Sequence, residues 1–173
     1  EPHAAELLSD TKNSQGVFAV CQLPESKTVE KLSEEEKYIA VENLQDPGNL
    51  GAVMRTAEAL GISGLILFGT CCDVFSPKTL RAGMGAAFRL PVYEGGEFAV
   101  CAAKLHERGF STFAAVPDAS AEKVTECKFP KGSVMLVGNE GNGLLPQTIQ
   151  TCSRRVTIPM EGRAESLNAA ASS

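Results

Sequence analysis

The chain reads as an α/β protein built on a parallel sheet, on three observations. From Tyr38 onward, short apolar runs of strand length alternate with segments of helical period, the rhythm of successive βαβ units. Three of those runs lead into loops rich in Asn, Gly or Pro, at the carboxyl ends of strands where such sheets bind ligands. Finally, 173 residues, 43% apolar and 21% charged, suffice for about one domain with a substantial core.

In order along the chain, residues 16–23 read as one strand, and residues 25–37 as a charged, solvent-facing linker. Residues 38–42 form a short buried strand. A helix is expected near 49–60, because Leu50, Val53, Met54, Ala57 and Leu60 recur at helical spacing, with Asn49 as N-cap and Gly61 at C′. Then come a strand at 65–68, helices near 77–84 and 97–108, and strands near 111–116 and 134–137. A short helix after Pro146 and a strand at 155–158 complete the pattern. Helices are expected on both sheet faces. Residues 168–173 look like the first turn of a further helix.

Composition excludes several classes. The longest apolar run, residues 62–68, is far short of the roughly 20 residues a membrane span needs, and no targeting signal opens the chain, so a soluble cytoplasmic protein is expected. Cys21, Cys71, Cys72, Cys101, Cys127 and Cys152 form no CxxC pair, and with only His3 and His106 beside them no metal site emerges. Free buried thiols are expected, and Cys71-Cys72 reads as two small loop residues rather than a redox switch. His106 is expected on an exposed helix face, without chemistry. The net charge of −5 argues against indiscriminate attachment to nucleic acid. A local basic patch would have to come from Arg55, Lys78, Arg81, Arg89, Arg154, Arg155 and Arg163.

Three loops carry the chemistry. The first, NLQDPGNLGAVMRT from Asn43, runs into a helix on which Arg55 lies off the apolar stripe, free to face a reactant. The second, GNEGNG at 138–143, is spaced GxxGxG and so is neither a dinucleotide fingerprint nor a P-loop. The third, IPMEGRAESLN, occupies 158–168. Glycine loops of this kind let backbone approach an adenosine or amino-acid ligand, with Ile158, Met160 and Leu167 able to pack on a purine face.

Taken together and in this order, NLQDPGNLGAVMRTAEALGISGLILFG, LVGNEGNGL and IPMEGRAESLN resemble the three motifs of the SpoU/TrmH-type ribose 2′-O-methyltransferases, a branch of the SPOUT class. SPKTLRAGMGAAFRLPV, residues 76–92, is similar to the ribosomal-RNA members. LLSDTKNSQGVFAVCQLPE resembles the end of a small RNA-binding domain that precedes the catalytic one. The resemblance implies a tail of that domain and a linker over residues 1–36, and a SPOUT methyltransferase domain over 37–173 whose C-terminal helix is incomplete. It also implies a C-terminal trefoil knot, an exception to the rule against knots, a homodimer, an RNA substrate and S-adenosylmethionine as methyl donor, with no metal.

By position, the resemblance assigns Gly138, Ile158 and Leu167 to hold the cofactor, with Asn139, Met160 and a bend at Ala114-Ala115 lining its pocket. It makes Arg55 the catalytic arginine, Asn49 and Glu140 the polar residues of the first two motifs, and Ser166 and Asn168 the polar pair of the third. Methyl transfer to a ribose oxygen is an in-line displacement, so Arg55 would stabilise negative charge developing on that oxygen. Asn49, Ser166 and Asn168 would orient arginine and ribose, while Glu140 would pair with Arg55 or tie the glycine loop. Ribosomal RNA is the first reading of the substrate. Transfer RNA, a non-catalytic RNA-binding protein that keeps the pocket, and a SPOUT base methyltransferase are the alternatives.

Overall fold

The computed structural model describes residues 7–9, 16–25 and 27–160. Its centre is an eight-stranded sheet with every neighbouring pair parallel. In chain order the strands are β1 (Lys27–Thr28), β2 (Lys37–Glu42), β3 (Gly64–Phe68), β4 (Val92–Gly96), β5 (Ser111–Ala115), β6 (Glu122–Lys123), β7 (Ser133–Val137) and β8 (Arg154–Thr157). Across the sheet they run β1-β4-β3-β2-β7-β5-β8-β6. The chain first builds outward from β2 through β3 to β4, then crosses to the other side of β2 for β5, β7 and β8. That reversal lies between β2 and β7, and beside such a switch point open sheets bind ligands.

Among the described residues, four α-helices flank the sheet strands in the chain: α1 (Pro47–Ala59), α2 (Pro77–Gly83), α3 (Phe98–Glu107) and α4 (Pro146–Thr151). Alternation along β2 separates two cores, as a strand's period of two requires. Tyr38 and Ala40 join Phe98, Ala102 and Leu105 of α3 on one face. Ile39 and Val41 join Leu50, Val53, Met54 and Ala57 of α1 on the other. Helices therefore pack on both faces, as expected from the βαβ rhythm.

Three local expectations are corrected. Asp46, not Asn49, is the N-cap of α1: its carboxylate accepts the Asn49 backbone N–H at 2.9 Å, and Pro47 fills the first helical position, where a missing N–H is harmless. Leu60 is 74% exposed, outside the apolar stripe, because the helix has ended and Gly61 turns the chain away at φ 74°. Ala114 and Ala115 lie inside β5, paired with β8, rather than in a bend. β4 had no sequence expectation, being short and ending in two glycines.

The first part of the chain differs most. Residues 17–25 have no regular structure, and Val17, Phe18, Val20 and Leu23 are exposed, so no strand forms there. The following segment is not all solvent-facing, since Val29 and Leu32 are buried in the α3-side core. Arg108, at the end of α3, holds that segment down by donating to the carbonyls of Val29 at 3.0 Å and Leu32 at 2.6 Å and to Glu34 at 2.8 Å. The expected C-terminal trefoil knot and helix involve residues 161–173, which lie outside the described residues. No helix among the described residues is long and apolar enough to cross a membrane.

Candidate functional site

A cavity of about 530 Å³ opens at the carboxyl ends of β7, β5 and β8, within the range of small-molecule sites. One wall is the glycine loop from Gly138 to Leu144, and another is Val156 to Ile158 with Met160. Ala115, Val116 and Pro117 also line it. Of the sequence-derived residues, Gly138, Asn139, Glu140, Ala115, Ile158 and Met160 all line this one space. Ser166, Leu167 and Asn168 lie outside the described residues.

The glycine loop is built so that side chains stay out of its centre. A Cβ on Gly138 would stand 2.0 Å from the Gly143 carbonyl carbon and 2.1 Å from the Leu144 nitrogen. Asn139 and Gly143 close the loop as a two-way backbone bridge, N–H to O distances 3.1 and 2.9 Å, and the Asn139 carboxamide oxygen accepts the Gly141 N–H at 2.8 Å. The loop therefore reaches the cavity as pre-shaped backbone.

Two hydrogen bonds tie this loop to the first one. Asn49 Nδ2 donates to Glu140 Oε1 at 2.8 Å, and Asn139 Nδ2 donates to the Asn43 carbonyl at 2.9 Å. Of the two roles open to Glu140, it takes the tie between loops, and no ion pair joins it to Arg55. Asn43 is a residue that sequence reasoning did not single out. It sits at φ 55°, its N–H donates to Phe68 O at 3.1 Å, and its side-chain oxygen accepts the Thr70 N–H at 2.9 Å, so it locks the ends of β2 and β3 under the site. Its signal was residue type, because Asn tolerates the left-handed region that ends a strand abruptly.

Glu42 was also missed. Only 3% exposed, its carboxylate accepts the Leu145 N–H at 2.8 Å and the Thr148 hydroxyl at 2.5 Å, which anchors the exit of the glycine loop into α4. A charge at the end of an apolar strand was the available signal, since such a group stays buried only when hydrogen-bonded.

Arg55 stands apart from the cavity. It is six residues beyond Asn49, about 9 Å along the axis at about 1.5 Å per residue and turned to another side of α1. It is exposed and makes no hydrogen bond or ion pair with another described residue. The other cations differ: Lys78 pairs with Asp46, Arg89 with Glu58, Arg154 with Glu122 and Arg155 with Asp118. Arg163 lies outside the described residues.

Among the described residues that line the cavity, the charged ones are acidic on balance, with Asp118 and Glu140 against Arg155. The Ser120 backbone N–H, then its hydroxyl, hold the Asp118 carboxyl below its ordinary range, with a smaller contribution from Arg155. A phosphate would meet repulsion here and a cationic ligand would not.

The thiols and His106 stand away from this chemistry. Burial pushes the Cys152 thiol up to about 12 and Cys101 to about 11, and it also raises Cys71 and Cys72, which disfavours the reactive thiolate. Against the expectation of buried thiols, only Cys101 is buried; Cys71, Cys72, Cys127 and Cys152 are half-buried and Cys21 is exposed. His106 is half-buried rather than exposed, its Nε2 within 2.8 Å of the Thr112 hydroxyl near the opposite end of the sheet. Among the described residues no group of three His, Cys, Asp or Glu could hold a metal ion.

A 23S rRNA (guanosine(2553)-2′-O)-methyltransferase of Bacillus subtilis is 32% identical over 96% of this chain and 65% of its own length. A 23S rRNA (uridine(2479)-2′-O)-methyltransferase of Streptomyces viridochromogenes is 33% identical over 89% of this chain and 55% of its own length. The AdoMet-bound rRNA methyltransferase of Sinorhizobium meliloti superposes with a TM-score of 0.76 at 33% identity, covering 85% of this chain and 57% of that one. This chain thus spans less than two thirds of the length of each. The model of the SpoU rRNA Methylase family matches residues 36–173, and the chain belongs to that family.

Proposed function

We propose that this chain is the catalytic part of an enzyme that transfers a methyl group from S-adenosylmethionine to a ribose 2′-hydroxyl of ribosomal RNA. The observation that carries the proposal is the cavity walled by the glycine loop and the third-motif segment and hydrogen-bonded to the first-motif loop through Asn49–Glu140 and Asn139–Asn43. The residues fit the cofactor. Gly138 leaves bare backbone on one wall, Ile158 and Met160 offer apolar surface for a purine, and the acidic rim suits a sulfonium. Leu167 would join them, and Ser166 and Asn168 would orient the ribose.

When bound, the cofactor supplies an electrophilic methyl group on sulfur. Arg55 places positive charge at the ribose oxygen as negative charge develops there, and it does so as a charge rather than a base, since a guanidinium keeps its proton at any ordinary pH. The 2′-hydroxyl proton passes to an RNA phosphate or water. Because Arg55 does not line the cavity of its own chain, the reading includes a homodimer in which Arg55 of a second copy completes each site.

Turnover on ribosomal RNA and cofactor affinity, measured on the same preparations, test the proposal. Arg55→Ala is expected to lower turnover by about 10²-fold or more with cofactor affinity near normal. Arg55→Lys should recover little, lacking the planar fork that holds two oxygens at once. Wild-type turnover in Arg55→Ala would place the catalytic centre elsewhere.

A further inference from the structure

The face of α1 and α2 beside Arg55 is not explained by the cavity. Residues 74–93 contain Lys78, Arg81 and Arg89 and no acidic residue, in a chain where acids outnumber Lys and Arg 21 to 16. The carboxylates of Asp46, capping α1, and Glu58, within it, partner Lys78 at 3.1 Å and Arg89 at 2.9 Å.

Helix geometry locates Arg55 on this face. A Cβ at Gly51 would lie 2.6 Å from Ala82 Cβ and 2.7 Å from the Gly83 nitrogen, so Gly51 abuts the end of α2. Glu58, two turns on, holds Arg89. Arg55 falls between them in sequence and, at about 100° per residue, within about 40° of Gly51 around the axis. It therefore stands beside the link from Gly83 to Arg89. That link exposes apolar surface: Met84 is 67% exposed and Phe88 58%, with Phe75 bracing the Phe88 ring at a centroid distance of 6.0 Å.

We propose that Phe88, with the exposed Met84 four residues before it, is a stacking platform for an unpaired base of an RNA strand whose phosphates pass Arg55 and Arg89. An exposed aromatic ring offers any base a π-face, and the surrounding cations neutralise phosphate charge, which together describe a single-stranded nucleic-acid surface. A duplex keeps its bases stacked inside and cannot use the ring. The inference rests on the reading of the chain as an RNA enzyme and adds where a nucleotide beside the target one is held.

The chain has no tryptophan, so Phe88→Trp places a single reporter on the platform. The probes are a mixed-sequence single-stranded RNA 12-mer and the blunt duplex formed with its complement, followed by anisotropy and tryptophan emission. Phe88→Trp should bind the single strand as tightly as the unaltered protein and lose emission on saturation, with little loss on adding duplex. Phe88→Ala should bind the single strand about tenfold more weakly or worse, with cofactor affinity and sedimentation unchanged. Equal affinity in Phe88→Ala, or unquenched emission in Phe88→Trp saturated with RNA, would overturn the platform while leaving the RNA reading standing. A changed sedimentation mass in Phe88→Ala would make the face a contact between copies and overturn it too. If the unaltered protein binds neither probe, the RNA reading fails first and the platform with it.

Discussion

Gly138 shows how much a single missing methyl group can decide. The atoms a Cβ would meet at 2.0 and 2.1 Å belong to the backbone of Gly143 and Leu144, so nothing flexible can yield and the loop itself would have to open. Gly138→Ala is therefore expected to lower affinity for S-adenosylmethionine at least tenfold by calorimetry in a protein that circular dichroism shows folded. Unchanged affinity would remove Gly138 from the binding wall. The residue was legible from sequence as part of a glycine loop, but its reason was not, because the atoms it avoids belong to the far side of that loop. Asn43 and Glu42 were illegible as site residues for a similar cause. Their partners Asn139, Leu145 and Thr148 lie about a hundred positions away.

At the scale of the element, the sequence reading put the N-cap of α1 at Asn49, three positions after the Asp46 that caps it. Proline at the first helical position settles the matter for Asp46, leaving Asn49 inside the first turn with its side chain free to reach Glu140. The Asn49 N–H, then Lys78, hold the Asp46 carboxyl below its ordinary range. A depressed folded-state pKa means that the stabilisation is present above the unfolded value and is lost as pH falls through the folded one. Cap stabilisation should thus start to weaken as pH falls below about 4, the unfolded value, and be gone once pH has passed the lower folded one. Asp46→Ala should cost about 1 kcal/mol in denaturant melts at pH 7 and clearly less at pH 3, while Asp46→Asn, which keeps the acceptor, should be milder. Equal losses at both pH values would mean the carboxylate does not act as cap.

For the whole molecule, the proposed function makes assembly part of the chemistry, because Arg55 is not among the residues that line the cavity. In the proposed homodimer, Arg55→Ala and Gly138→Ala chains are each impaired alone at limiting cofactor, yet mixed and exchanged they should regain about a quarter of normal turnover, since half the dimers carry one complete site. No recovery in a mixture that sedimentation shows exchanged would place arginine and cavity in the same chain. By itself, the sequence determined the parallel α/β class, most strands and helices and the loops that hold the site, because periodicity and turn chemistry are local. Tertiary structure alone decided that residues 17–25 stay exposed while Val29 and Leu32 are buried under Arg108, that β4 forms, and that the glycine loop is hydrogen-bonded to the loop before α1. Those outcomes depend on which strands become neighbours, and the β2–β7 pairing joins segments far apart in sequence. A local pattern fixes which face a residue presents; only the assembled sheet fixes what that face meets.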